Sequence, residues 1–211
     1  GVLEAAQVLP RHVERGVPVS RAVDHPDDLH VDARVPGADA DDVAAAVHSA
    51  ANEGDTWSRL AATVRADVLE RAADLIEQER DALLVLAARE AGKTIGNGVG
   101  EVREAADFCR YYAAQARREL EHAVPRGPIV CISPWNFPLA IFVGQVSAAL
   151  AAGNPVLAKP AEQTPLMAAA AVRILHRAGV PAGALQLLPG PGETVGAALV
   201  ADPRIAGVLF T

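Results

Sequence analysis

The sequence predicts an α/β fold in which a parallel, Rossmann-type sheet with flanking helices follows a mostly helical N-terminal segment. From about residue 38 to residue 124, apolar side chains recur at three- and four-residue steps, which is the period of amphipathic helices. Beyond that point, short and continuously apolar runs alternate with helical stretches. Strands of that kind are buried on both faces, and strands joined by helices form parallel sheets of the nucleotide-binding type.

The first half of the chain divides into two parts. Residues 1–37 mix Pro, Gly and Asp with short apolar alternations, so we expect extended segments and loops there. Residues 38–124 form the helical part, in which Asp41 and Asp42 are suited to cap the first helix. Glycines at 92, 96, 98 and 100 interrupt the pattern before the longest helix. The predicted helices run from about Asp39 through Val47, over 57–78, over 79–91 and over 101–121.

The second half, residues 125–211, predicts a β–α alternation with four strands. Gly153 and Gly179 follow the first two predicted helices, at the position where glycine commonly ends a helix. The strands are predicted at 129–132, 155–158, 184–188 and 207–210, and the helices at 138–152, 164–178 and 193–200.

Composition excludes several classes of protein. With 51% hydrophobic and 21% charged residues among 211, the chain has enough apolar side chains for a sizeable core, so disorder is excluded as its main state. The net charge of −7 is spread along the chain, which argues against a nucleic-acid partner. No apolar run approaches the ~18 residues of a membrane span, and no secretory signal opens the sequence, so we predict a cytoplasmic protein.

The two cysteines, Cys109 and Cys131, are too few for a disulfide framework and lie at no metal-ligand spacing, so no metal site is predicted. Both fall on apolar faces of predicted elements, where burial disfavours a thiolate. We therefore interpret both as core residues.

Three segments follow three consecutive predicted strands, at the edge of a parallel sheet where ligands bind. They are residues 133–138, 159–162 and 190–196. In the first, two prolines hold the backbone around Asn136, whose amide offers N–H donors to an oxyanion. The alternative is a turn in which Trp135 fills the core and Asn136 caps the next helix.

The other two segments suit a dinucleotide. Glu162 and Lys159 could bind the hydroxyls of a ribose, and the carboxylate would repel a 2′-phosphate, which favours NAD over NADP. The alternative is a surface ion pair at a helix start. Gly192 and Gly196 would let a helix pack closely on the sheet or on a pyrophosphate, although GxGxxxG is one residue longer than the dinucleotide fingerprint.

Taken together, residues 132–139 (ISPWNFPL), 158–165 (AKPAEQTP) and 188–196 (LPGPGETVG) resemble the aldehyde dehydrogenase superfamily in order and spacing. Residues 90–94 (EAGKT) and 101–115 (EVREAADFCRYYAAQ), together with residues 131–142, are most similar to the L-glutamate γ-semialdehyde (1-pyrroline-5-carboxylate) dehydrogenase domain of bifunctional bacterial proline-utilisation proteins.

The resemblance implies an NAD-dependent oxidation of an aldehyde to an acid in proline catabolism. In the family, a cysteine thiolate adds to the aldehyde, hydride passes to the nicotinamide, and a glutamate-activated water releases the acid. The resemblance makes Asn136 the oxyanion donor, Phe137 a contact of the substrate's aliphatic part, and Glu104 a residue facing the substrate. The implied cofactor residues are Ile132, Ser133, Pro134, Trp135, Lys159, Glu162, Gly192 and Gly196.

The sequence also departs from the family. The nucleophilic cysteine and the general-base glutamate have no counterpart here, and neither Cys109 nor Cys131 matches the catalytic position. The resemblance therefore implies an incomplete domain, the N-terminal cofactor-binding part of the enzyme, which alone would not complete the reaction. The connection after residue 121 is short where many family members insert a β-hairpin that builds the oligomer interface, so homo-oligomer formation stays open.

The partners implied are a small-molecule aldehyde and a proline dehydrogenase domain fused upstream. Two alternatives remain at this stage. One is a dehydrogenase for another semialdehyde, and the other is a non-catalytic nucleotide-binding module.

Overall fold

The second half of the chain is built on a four-stranded, fully parallel sheet. The computed structural model describes residues 35–52 and 54–211; residues 1–34, which include most of the predicted N-terminal loops, lie outside the described residues, as does residue 53. The strands are β1 (Ile129–Ile132), β2 (Val156–Lys159), β3 (Leu185–Leu187) and β4 (Gly207–Phe210). Their order is β3-β2-β1-β4.

Eight α-helices accompany the sheet in the described ranges. They are α1 (Ala40–Asn52), α2 (Asp55–Ser58), α3 (Ala62–Gln78), α4 (Arg80–Ala91), α5 (Ile95–Glu119), α6 (Ala140–Ala151), α7 (Pro165–Ala178) and α8 (Ala197–Ala201). A π-helical turn, Gly192–Gly196, leads directly into α8. None of the helices in this part of the chain is both long enough and apolar enough to cross a bilayer.

Side chains of β1 alternate between two hydrophobic cores, as the pleat of a strand requires. Ile129 and Cys131 point into the larger core, which is shared with α3, α5, α6 and α7. Val130 points into a smaller core, formed with α1, the π-helical turn and α8. Both faces of the sheet are therefore covered at β1 and β2, as their continuously apolar sequences predict. The same prediction is wrong for β4, which lies at the edge of the sheet and exposes Val208, Leu209 and Phe210.

The long helix α5 begins six residues earlier than predicted, so the expectation of a break up to residue 100 is wrong. Thr94 caps it by accepting a hydrogen bond from the N–H of Asn97 at 3.2 Å. Glycine is favoured at position 98 inside the helix because a Cβ there would lie 2.9 Å from Cδ2 of Leu84 on α4, whose side chain would have to move. Of the glycines at 92, 96, 98 and 100, only Gly92, in the left-handed conformation with φ 63°, ends a helix.

Two other helix starts differ from the prediction. The predicted helix 57–78 is two helices, because the helical conformation is interrupted between Ser58 and Ala62. At α1, Asp39 and Asp42 accept hydrogen bonds from each other's N–H groups at 2.9 and 3.0 Å, so Asp39, rather than Asp41, pairs with Asp42.

Candidate functional site

The loops that follow β1, β2 and β3 meet at the carboxyl edge of the sheet. We call them the β1–α6 loop (residues 133–139), the β2–α7 loop (residues 160–164) and the β3–α8 loop (residues 188–191). The register places Ile132 beside Lys159, and the N–H of Ser133 donates to the Lys159 carbonyl at 3.2 Å. The residues around this hydrogen bond are shielded: Ile132 and Pro134 are half-buried, and Ser133 is buried.

Lys159, Glu162, Gly192 and Gly196 are brought together by direct contacts. Oε1 of Glu162 accepts a hydrogen bond from the N–H of Gly192 at 2.9 Å. A Cβ at Gly196 would lie 3.5 Å from the side-chain methylenes of Lys159. The sequence therefore predicts correctly that the end of β2 and the segment after β3 lie next to each other in the fold.

The alternative of a surface ion pair between Lys159 and Glu162 is wrong. Lys159 is only 4% exposed, and its Nζ donates to the Pro160 carbonyl at 3.1 Å rather than to the Glu162 carboxylate. Burial lowers the pKa of Lys159, and the negative charges of Glu162 and Glu193 act in the opposite direction.

The β1–α6 loop exposes its aromatic and amide side chains. Trp135 is 54% exposed and Phe137 is 41% exposed, and Asn136 between them is exposed as well. The alternative in which Trp135 fills the core and Asn136 caps α6 is therefore wrong. The capping acceptor comes instead from a distant helix.

That acceptor is Glu101 of α5, a buried carboxylate that the sequence analysis did not single out. Its Oε2 accepts from the N–H groups of Leu139 and Ala140, at 3.1 and 2.9 Å, where α6 begins. The ammonium of Lys93 lies 2.9 Å from Oε1 and 4.3 Å from the centre of the Phe137 ring. An acid on the apolar face of α5, next to Val102, was the signal in the sequence.

A second glutamate does the same for α7. The carboxylate oxygens of Glu90 accept from the N–H groups of Leu166 and Met167, at 2.7 Å each. Burial raises the pKa of Glu90 to about 7, although these two hydrogen bonds act to lower it. Glu90 lies in the 90–94 segment that carries the family resemblance, yet its spacing alone did not indicate a partner.

The described geometry can be compared with known proteins. Residues 18–211 match the aldehyde dehydrogenase family. The chain belongs to this family. Members of this family differ in substrate, so the names of similar relatives are needed to suggest which aldehyde is oxidised.

The bifunctional protein PutA of Klebsiella aerogenes is 58% identical over 172 residues, which cover 81% of this chain and 13% of that protein. A solved structure of proline utilization A (PutA), with proline bound in remote sites, is 50% identical with a TM-score of 0.81. The match covers 83% of this chain and 20% of that one. The chain thus spans less than a fifth of the curated PutA relative.

A solved 1-pyrroline-5-carboxylate dehydrogenase from Thermus, with bound NAD, is 36% identical with a TM-score of 0.79. It is matched over 82% of this chain and 36% of its own length. These comparisons confirm the predicted family and the predicted α/β fold with a helical N-terminal part. Aldehyde dehydrogenases are oxidoreductases, and this family commonly uses NAD.

The residues at the sheet edge fit a dinucleotide. Gly192 and Gly196 present no Cβ toward the Lys159 and Glu162 side chains, so a ligand could approach this backbone closely. Glu162 is exposed, and within the described part of the chain only its Oε1 takes part in a hydrogen bond. The second carboxylate oxygen is therefore available to a ribose hydroxyl.

Neither cysteine offers a nucleophile. Cys109 and Cys131 are both buried, and burial raises the pKa of each thiol to about 12. A thiol in such surroundings stays protonated at neutral pH and acts as an apolar side chain. Residues 35–52 and 54–211 also contain no cluster of His, Cys, Asp and Glu that could hold a metal ion.

Glu104 lies on the exposed side of α5. It lines an open groove of about 500 Å³ together with Arg103, Asp107, Phe108 and Tyr111. Neither Asn136 nor Phe137 lines this groove. The role of Glu104 at the substrate therefore stays a prediction.

Proposed function

We propose that this chain forms the cofactor-binding part of an NAD-dependent aldehyde dehydrogenase that oxidises L-glutamate γ-semialdehyde to L-glutamate in proline catabolism. The observation that carries the proposal is the junction of Lys159, Glu162, Gly192 and Gly196 beside the loop that exposes Asn136. The similarity to PutA proteins and to a 1-pyrroline-5-carboxylate dehydrogenase supports the substrate.

Four residues would hold the adenosine side of NAD. The free carboxylate oxygen of Glu162 accepts from a ribose hydroxyl, and the ammonium of Lys159 donates to a neighbouring hydroxyl. Gly192 and Gly196 leave space for the cofactor against the π-helical turn. Because the Glu162 carboxylate repels a 2′-phosphate, we expect NAD to be preferred over NADP.

The segment 132–135 would lie along the cofactor and place the Asn136 side chain next to the reacting carbonyl. When bound, NAD supplies a hydride acceptor. The Asn136 amide donates a hydrogen bond to the oxygen that becomes negatively charged when the aldehyde is attacked, which stabilises the transition state. The exposed ring of Phe137 covers the aliphatic part of the substrate. The proposal assigns neither the nucleophile nor the general base to this chain.

The test is an assay of the full-length gene product for NADH formation. We expect turnover with L-glutamate γ-semialdehyde and NAD, with kcat/KM at least about 10-fold above that for succinate semialdehyde, the size of one lost binding contact. A preference for succinate semialdehyde would move the assignment to another member of the family. No NADH with either aldehyde would favour a non-catalytic nucleotide-binding role.

We also propose that the gene product carries a proline-oxidising activity upstream of this segment. The support is that the similar PutA proteins are bifunctional and that this chain matches only 13% of one of them. Proline-dependent reduction of an electron acceptor by the full-length product tests this, and its absence would contradict the fusion.

A further inference from the structure

The β1–α6 loop is held at both of its ends but not in its middle. At the start, Ser133 is bonded to the Lys159 carbonyl, and at the end, Leu139 and Ala140 are bonded to Glu101. The residues between them that carry the proposed chemistry, Asn136 and Phe137, are exposed and are not packed into either core. The position of the Asn136 amide therefore depends on the two ends of the loop.

Burial of the Glu101 carboxylate is energetically unfavourable unless both of its oxygens have partners. Its side chain is 1% exposed, and a carboxylate loses most of its hydration at such a place. The two N–H groups of α6 satisfy Oε2, and Lys93 provides the counter-charge at Oε1. Since Leu139, the N-cap residue of α6, has no side-chain acceptor, the start of α6 depends on Glu101.

Lys93 connects this anchor to the exposed part of the loop. Its side chain is 13% exposed, and its ammonium lies over the face of the Phe137 ring while it pairs with Glu101. A cation over an aromatic ring is attracted to it, and more strongly where water is excluded. One ammonium thus ties the ring next to Asn136 to the carboxylate that starts α6.

We propose that Glu101 and Lys93 are positioning residues that hold the Asn136 amide and the Phe137 ring for aldehyde oxidation. The inference rests on the function proposed above. Neither residue acts on the reacting atoms, because Glu101 is buried beneath the loop and Lys93 is engaged by Glu101 and Phe137. An oxyanion donor works only within a narrow range of distances, so a small shift of the loop is enough to weaken it.

The first test is a double-mutant cycle on kcat in the full-length gene product. We expect Lys93→Met to lower kcat by about 10-fold and Asn136→Ala by about 100-fold, with the KM for NAD unchanged in both. If Lys93 acts through Asn136, adding Lys93→Met to Asn136→Ala lowers kcat by no more than about 2-fold. A further loss of about 10-fold in the double variant would overturn the proposal.

Two variants control this cycle. Lys93→Arg keeps the positive charge and is expected to restore kcat to within about 3-fold of the wild type, because an ion pair and a cation–π contact remain possible. Arg110→Met removes ion pairs that α5 makes with Asp74 and Glu77 on its other side, and is expected to leave kcat unchanged. A loss in Arg110→Met as large as in Lys93→Met would contradict a specific role of Lys93.

The second test does not depend on activity. Amide hydrogen exchange should become at least about 10-fold faster at Leu139 and Ala140 in Glu101→Ala, because these N–H groups lose their acceptor. The N–H of Val143, bonded to the Leu139 carbonyl inside α6, should stay protected. Glu101→Gln, which keeps one acceptor oxygen and fills the same space, is expected to show a smaller increase and serves if Glu101→Ala does not fold.

The two tests separate the two claims. A wild-type gene product that oxidises no aldehyde would contradict the proposed function, and the exchange rates would still decide whether Glu101 anchors the loop. Unchanged exchange at Leu139 and Ala140 in both Glu101 variants would overturn the positioning role even in an active enzyme.

Discussion

The loops after β1 and β2 are anchored in the same way but expose different side chains. Each leads into a helix whose N-cap residue, Leu139 or Thr164, makes no capping bond with its side chain. Each helix instead receives a glutamate from the helical part of the chain, Glu101 for α6 and Glu90 for α7. The helical part therefore holds the far end of each loop, where α6 and α7 begin.

The difference lies in what the two loops expose and in how their anchors are charged. The β1–α6 loop exposes the uncharged side chains of Trp135, Asn136 and Phe137, whereas the β2–α7 loop exposes the carboxylate of Glu162. Glu101 is paired with Lys93, while Glu90 has no ion-pair partner within the described ranges. Under the proposed function, the β1–α6 loop carries the bond chemistry and the β2–α7 loop binds the cofactor. We also predict that the Glu90 anchor responds to pH near neutrality.

The largest expected effect distinguishes the β1–α6 loop from the β2–α7 loop. Asn136→Ala should lower kcat by about 100-fold, the size of one lost oxyanion donor, while the KM for NAD stays within about 2-fold. Steady-state kinetics of the full-length gene product measure both values. Gln163→Ala, which removes an exposed amide from the other loop, is the matched control. An Asn136→Ala enzyme with normal kcat would remove the distinction between the loops.

The next effect concerns the two glutamate anchors. The pKa of Glu90 is raised to about 7 in the folded protein, so the folded state binds this proton more tightly than the unfolded chain does. Protonated Glu90 therefore stabilises the folded state. This stabilisation is fully present below the pKa of Glu90 in the unfolded chain, about 4.3, and is lost as the pH rises through about 7.

Glu90→Gln should remove that dependence. Between about pH 5 and about pH 8, the free energy of unfolding of the wild type should fall relative to that of the variant by roughly 2 kcal/mol. Urea unfolding at both pH values measures the difference. Parallel changes in the two proteins would mean that Glu90 is charged throughout this range.

A smaller effect is expected at Glu162 in the β2–α7 loop. Glu162→Gln keeps the hydrogen bond from Gly192 but loses the negative charge, so we expect the KM for NAD to rise by about 10-fold and the preference over NADP to shrink. The value of kcat should change little, in contrast to Asn136→Ala. An unaltered ratio of NAD to NADP activity would contradict a ribose contact at Glu162.

The smallest effect is expected at the two cysteines. Because burial holds the pKa of both thiols at about 12, Cys109 and Cys131 should resist alkylation in the native protein and react only after unfolding. Mass spectrometry of the labelled peptides locates the reaction. Labelling of either thiol under native conditions would contradict its placement in the core.

The sequence predicts the second half of the fold closely, because its signals are local. Continuous apolar runs place β1 and β4 at their observed bounds, and Gly179 ends α7 where predicted. The start of α5 is missed because Gly98 is read as a break, whereas close packing against Leu84 favours glycine inside the helix. A contact with a residue on another helix is not visible in a helical pattern.

The candidate site divides in the same way. The proximity of Lys159 and Glu162 to Gly192 and Gly196 could be predicted from the sequence, because these residues lie at or after strand ends and parallel strands end at one edge of a sheet. Glu101 escapes notice because its partners, Leu139 and Ala140, lie 38 and 39 residues away along the chain. Candidate site residues at strand ends can be predicted from local motifs. Glu101 cannot, because its position near them depends on tertiary contacts.

Amide hydrogen exchange in the full-length gene product, measured with and without NAD, shows directly whether the cofactor binds at this edge of the sheet. We predict that saturating NAD slows exchange in the segments 159–162 and 190–196 and leaves the outer surface of α3 unchanged. Protection elsewhere with none in these two segments would contradict a cofactor site formed by Lys159, Glu162, Gly192 and Gly196.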